Sequence, residues 1–224
     1  MPRRTIHFVD DYYYHLFSRG VNKQPIFNHP TDYRRATEVF RYYTHKKPRL
    51  RYSYFLALSD GERQNFLSQF LHSKKIVSLL AYCLMPNHFH FLLRQNEEGG
   101  INHFMRNFLI SYARYFNTRY KRTGPFWEGQ FKAVSVDDDA QLLHLSRYIH
   151  LNPFTSYVVD KEEELLTYPW SSFPEYLGKR PETCKTQTIL SHFSSRDAYR
   201  DFTIDRAAYQ RELDLIRHLL VDDE

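Results

Sequence analysis

The stretch Ile76–Met85 is an almost unbroken apolar run, and Pro86-Asn87 interrupts it before a second such run opens at His88 and closes near Arg94. A run of this kind bounded by turn residues reads as a strand buried on both faces. Two strands with so short a connection pair antiparallel. Such a hairpin requires a sheet around it, with helices on one or both faces. The rest of the chain supplies them in a readable order. Tyr12–Arg19 is aromatic, short and stopped by Gly20, which reads as a strand. Pro30 and Thr31 open a helix whose apolar positions Tyr33, Ala36, Phe40 and Tyr43 carry it to about Lys46. Ser59 and Glu62 have capping-box spacing ahead of a second helix.

A long helix fits Ile101–Arg119, with Phe104, Phe108, Tyr112 and Tyr115 on one face. Gln130–Val136 reads as a strand. Asp137-Asp-Asp139 places carboxylates at the start of the next helix, where the dipole favours them, and Pro153 is expected to end that helix at Asn152. A final amphipathic helix is expected near 205–220. The order is α+β, an antiparallel sheet with packed helices. A boundary is expected at 154/155, with residues 1–154 forming the main domain and 155–224 an extension.

Charge separates the same two parts. Residues 1–154 hold 22 Lys/Arg and 12 Asp/Glu, a net of +10, whereas 155–224 hold 9 and 14, a net of −5. A basic body points to a polyanionic partner. The two cysteines, Cys83 and Cys184, have no metal-ligand spacing and form no disulfide framework. No apolar run is long enough to span a membrane, and no secretory signal is visible. The expected location is the cytoplasm. No glycine-rich phosphate loop is present, so no nucleotide cofactor is expected.

Three constellations carry chemistry. His88-Phe89-His90 on a strand directs both imidazoles to one face, a ready pair of donors for a divalent metal. A His-x-His pair also arises by chance in a chain with 12 His. Tyr148 and Asn152 are four residues apart on a helix and share a face. They offer a phenol and a neutral oxygen, or else a packed core tyrosine and a C-terminal cap. The third is basic: Arg106, Arg114, Arg119, Lys121, Arg122 and Lys132 are interleaved with aromatics that include Trp127. Such cations neutralise phosphates while rings stack on unpaired bases. The competing reading is a solvated helix face followed by a core strand.

Read together, three ordered blocks resemble a known family. Tyr82-Cys83-Leu84-Met85-Pro86-Asn87-His88-Phe89-His90-Phe91-Leu92-Leu93 resembles the histidine-hydrophobe-histidine signature of single-tyrosine HUH transposases, in particular the REP-associated tyrosine transposase branch. Gly124-Pro125-Phe126-Trp127-Glu128-Gly129-Gln130-Phe131-Lys132 and Tyr148-Ile149-His150-Leu151-Asn152-Pro153 continue it. The resemblance implies a ferredoxin-like nuclease domain acting on single-stranded or hairpin DNA. It implies His88 and His90 as ligands of Mg²⁺ or Mn²⁺, and Tyr148 as a nucleophile that forms a 5′-phosphotyrosine. Asn152 stands where insertion-sequence relatives carry Gln, as the third metal ligand. It allows either a monomer or a homodimer that exchanges the tyrosine helix. Two rival functions stay open: a domesticated hairpin-binding protein with little cleavage, and a hydrolase whose His pair activates water.

Overall fold

The computed structural model describes residues 6–46, 50–70, 73–205 and 207. Four strands, β1 (Tyr13–Arg19), β2 (Val77–Met85), β3 (His88–Gln95) and β4 (Lys132–Val136), form one sheet in the order β2-β3-β1-β4. All neighbours are antiparallel. The expected hairpin is β2–β3, closed at its turn by the pairing of Met85 with His88. A β-α-β-β-α-β order with a central antiparallel hairpin is the expected ferredoxin-like α+β architecture.

Both faces of the sheet are covered. Phe89, Phe91 and Leu93 of β3 point to one side, into a core shared with α1 (Pro30–Tyr43) and α4 (Gly100–Arg119). Phe40, Phe104, Phe108 and Tyr112 fill that layer. Leu92 points to the other side, with Leu80, Cys83 and Met85, into a core shared with α5 (Asp139–Thr155). Period-two alternation in β3 therefore separates two hydrophobic layers.

Local signals explain the element ends. The Asp138 side chain accepts from the Gln141 backbone N–H at 2.7 Å and caps α5. In chain order α2 (Tyr52–Leu56) and α3 (Asp60–Phe70) come between α1 and β2. The Ser59–Glu62 capping box opens α3, with the Ser59 N–H donating to Glu62 Oε2 at 2.9 Å. Gly20 ends β1 because a side chain there would sit 2.5 Å from the Gln24 carbonyl oxygen. One expectation fails: Pro153 does not stop α5, which continues to Thr155. Proline removes one N–H and the bond it would make to the Ile149 carbonyl. So near the helix end that loss is local, and Ser156 N–H still closes on the Asn152 carbonyl at 3.0 Å.

The segment beyond 155 adds short helices: α6 (Glu162–Leu165), α7 (Phe173–Tyr176), α8 (Gln187–Leu190) and α9 (Arg196–Ile204). Leu165, Phe173, Tyr176, Ile189 and Tyr199 join the α5 core layer. Trp170-Ser171-Ser172 runs along the outer edge of β2, where Leu84 N–H donates to Trp170 O and Ser172 N–H to Tyr82 O. That edge is thereby paired rather than left open. The helix expected over 205–220 lies almost wholly outside the described residues.

Candidate active site

The residues of the first constellation do share a face. His88 and His90 have ring centroids 5.0 Å apart at 88°, and Phe89 between them is in the opposite core. The neighbouring strand adds to the same face at every second residue. In β1, Phe17 pairs with His90 and Arg19 pairs with His88, and His15 lies two residues before Phe17 on the same side. His15 Nε2 sits 2.8 Å from His90 Nδ1.

Helix α5 crosses above this face. The Tyr148 ring lies 5.6 Å from that of His90 and 6.2 Å from that of His15, edge-on to both. Asn152 is buried one turn later, and its Nδ2 donates to the Tyr148 carbonyl at 2.9 Å. The Asn152 amide also meets the His88 ring. A cavity of about 850 Å³ opens beside these groups, lined by His88, His90 and Tyr148 together with Arg19, Lys23, Glu128 and Lys132. Tyr157 also lines this cavity, but the two tyrosines of the long helix do not. Tyr112 is fully buried in the opposite layer and donates to the Ile26 carbonyl, and Tyr115 donates to the Asp32 carboxylate.

The electrostatics keep the imidazoles neutral. Burial lowers His15 to about 4. Burial, then the Arg19 charge, lowers His88 to about 4, opposed by its hydrogen bond with Asn152. His90 is pushed well below its ordinary value by burial and by the two other imidazoles. Neutral rings are the form that binds a metal. Among the described residues no three His, Cys, Asp or Glu are grouped to hold an ion, and the donors at this face are two imidazoles and the neighbouring Asn152 amide.

That smaller donor set fits a divalent cation on one observation. His90 Nε2 is buried and has no hydrogen-bond partner among the described residues, while its Nδ1 is held by His15. His88 Nδ1 lies 2.6 Å from Asn87 Oδ1, and with the Asn152 contact this fixes the orientation of its ring. His90 is thus anchored through one nitrogen with the other unpaired, the arrangement of a metal-ligating histidine.

The family question is decided by the whole chain. The model of the family described as "Transposase IS200 like" matches residues 8–152, well over half of the sequence. The chain belongs to the IS200-like transposase family. No curated protein matches it. Among solved structures, that of the REP-associated tyrosine transposase bound to a REP hairpin is similar at 13% identity and a TM-score of 0.53, covering 81% of this chain and 89% of that one. A candidate transposase from Deinococcus radiodurans R1 aligns at 16% identity over 66% of this chain and 95% of that one, with a TM-score of 0.29. The first likeness extends the shared fold past the family-matched region.

For an IS200-like transposase, the basic constellation is divided by the sheet. Lys132, on β4, lines the cavity. Arg106 and Arg114 lie exposed on α4, across the sheet from His88 and His90. Arg119 pairs with the buried Asp32 carboxylate at 3.5 Å, Arg122 lies over the Phe116 and Phe126 rings, and Lys121 is exposed. Trp127 is held from the other side. Its ring is packed on Phe89 and Phe126, and its Nε1–H donates to the Leu109 carbonyl at 3.1 Å. The ring is half-buried, with part of its surface committed to packing against the core. Sequence reasoning missed His15, Arg19, Lys23 and Glu128. The signal for two of them was present, since His15, Phe17 and Arg19 alternate along β1, but which strand they would face was not readable.

Among the described residues no helix is long and apolar enough to cross a membrane.

Proposed function

We propose that this chain is a metal-dependent single-strand DNA endonuclease and strand transferase that cuts and rejoins DNA beside hairpins. The observation that carries the reading is the convergence of Tyr148, His88 and His90 on one cavity, from a strand and a helix far apart in sequence, with the buried Asn152 meeting the His88 ring from the same helix. His88 and His90, with the Asn152 oxygen, would hold Mg²⁺ or Mn²⁺. A bound divalent cation would polarise a phosphate oxygen and offset charge as it develops.

The chain's own residues do the rest. Tyr148 loses its phenolic proton and its oxygen bonds to phosphorus. The bond from phosphorus to the 3′ oxygen breaks, and that oxygen takes up a proton. The product is a 5′-phosphotyrosine with a free 3′-hydroxyl. Reversal needs no nucleotide because the covalent link retains the bond. The anchoring of α5 matters here, because the attacking atom is held by a helix and not by a loop. The substrate must be unpaired at the cut, since Tyr148 is half-buried beneath the cavity mouth. The fold likeness to a transposase bound to a REP hairpin supports a folded DNA hairpin as the recognition handle.

The test is direct. Single strands of the flanking genomic DNA are incubated with the protein and Mn²⁺ and resolved on a denaturing gel. A protein–DNA species that survives denaturation is expected. Cleavage without such a species would favour water activated by the His pair. Hairpin binding with neither would favour a binding module.

A further inference from the structure

Glu128 occupies an unusual position for a carboxylate on a DNA-binding face. Its two oxygens take parallel hydrogen bonds from Arg19, at 2.8 Å from Nε and 3.1 Å from the terminal nitrogen. Lys132 and Lys23 also act on it and, after Arg19, help hold its carboxyl below the usual range. All four side chains line the cavity that contains His88, His90 and Tyr148. Arg19 is the register partner of His88, so the pair sits beside the reacting end of the cavity.

Folding does not account for this pair. Arg19 and Glu128 remain 39% and 47% exposed, and ion pairs at that exposure add little to stability. The backbone is already joined without them. Glu128 N–H donates to the Arg19 carbonyl at 2.9 Å, Trp127 bridges to Gly20, and the Trp127 ring is anchored in the core. The side chain of Glu128 can therefore rotate away while its loop stays in place. What it leaves behind is a guanidinium fork with two ammonium groups, which suits a phosphodiester as it suits a carboxylate.

We infer that Arg19, Lys23 and Lys132 form a phosphate-binding subsite for unpaired DNA at the mouth of the cavity, and that Glu128 fills it in the resting protein until the strand displaces it. The identity of the anion rests on the function proposed above. The arrangement has a selective consequence. A single phosphate must compete with a tethered carboxylate, whereas a strand already held elsewhere presents its phosphate at high effective concentration. Stray anions are thus excluded and engaged DNA is admitted.

The probe is a fluorescein-labelled 20-mer of oligodeoxythymidylate, bound in EDTA so that no metal contributes. Glu128→Gln keeps the shape and removes the competitor, and should tighten binding by about tenfold. It should also steepen the dependence of log affinity on log salt by about 0.7 for each further phosphate neutralised. Arg19→Gln should weaken binding by a similar factor. The decisive arm is the double variant. If Glu128 merely repels DNA at a distance, its removal gains as much with Gln at position 19 as with Arg, and the subsite is refuted. If it occupies the subsite, the gain shrinks to less than about threefold, since the fork it blocks is gone. Unchanged or weaker binding by Glu128→Gln also refutes it. Lys132→Gln provides a second loss arm, and thermal unfolding of each variant confirms that the fold is intact. The covalent adduct is scored separately. Absence of adduct with the Glu128 effect intact removes the tyrosine chemistry and leaves the subsite standing.

Discussion

Tyr148 and Tyr112 are the same side chain, and only their surroundings separate them. Tyr112 spends its hydroxyl on a backbone carbonyl deep in one core layer, whereas Tyr148 stands edge-on to two imidazoles at a cavity. Tyr148→Phe removes one oxygen and should abolish the covalent DNA adduct on a denaturing gel, with hairpin binding unchanged. An adduct formed at normal yield by the Phe variant would move the chemistry to another tyrosine. His88→Ala should eliminate cleavage while hairpin binding persists in a gel-shift assay. His15 acts one step back, on His90 Nδ1, and leaves Nε2 without a partner. His15→Phe keeps a ring there and removes the partner, so Mn²⁺ affinity by titration calorimetry should fall by about 10–100-fold. His15→Gln, which can still accept from Nδ1–H, should recover part of that loss. An unaltered affinity in the Phe variant would show that His90 needs no partner.

At the scale of elements, α5 is fastened to the sheet by a buried polar chain. His150 Nε2 lies 2.7 Å from Ser172 Oγ and its Nδ1 lies 2.8 Å from the Tyr199 hydroxyl. Burial, then the Arg180 charge, lowers His150 to about 3. The unfolded imidazole binds a proton below about pH 6.5 and the folded one does not. Stability contributed by this site is therefore complete above that pH and declines as pH falls toward 3. At pH 5 the loss from His150 alone is about 2 kcal/mol, measurable as a shift in denaturant midpoint between pH 7.5 and pH 5. His15 and His88 act in the same direction. In His150→Gln the acid loss should be visibly smaller. The loop at Trp127 is the other fastening, and Trp127→Ala should cost about 2–4 kcal/mol of stability in denaturant unfolding. A variant of full stability that lost only base stacking would restore the platform reading.

Across the whole molecule, the sheet separates two basic regions. The cavity face carries Arg19, Lys23 and Lys132, and the far side carries the α4 cations. If about five phosphates are neutralised, log affinity for the hairpin should fall with log salt at a slope on the order of −4. Joint replacement of Arg106 and Arg114 by Gln should then change that slope little, and Lys132→Gln should flatten it by nearly one. The reverse result would place the DNA on α4. The acidic segment beyond 155 covers the second face of the sheet and the edge of β2. Phe173, Tyr176 and Tyr199 complete the layer that holds α5.

The strands, the long helices and the α+β class were legible in the sequence because each rests on local chemistry: apolar runs, period, caps and turn residues. The direction of His88 and His90 was legible for the same reason, since alternation along one strand is a property of the backbone. Pairing was not. Only the register of β1 against β3 brings His15 onto His90 and Arg19 beside His88, and register is set by contacts between segments some 70 residues apart. The same holds for Trp127 and for the α4 arginines. A basic, aromatic-rich stretch reads identically whether its rings stack on bases or on Phe89, and which face of the sheet a helix covers is settled only when the layers pack. Residue type and spacing determined what chemistry the chain could hold, and tertiary packing decided which of those groups share a cavity, because side chains react through distances that sequence separation does not encode.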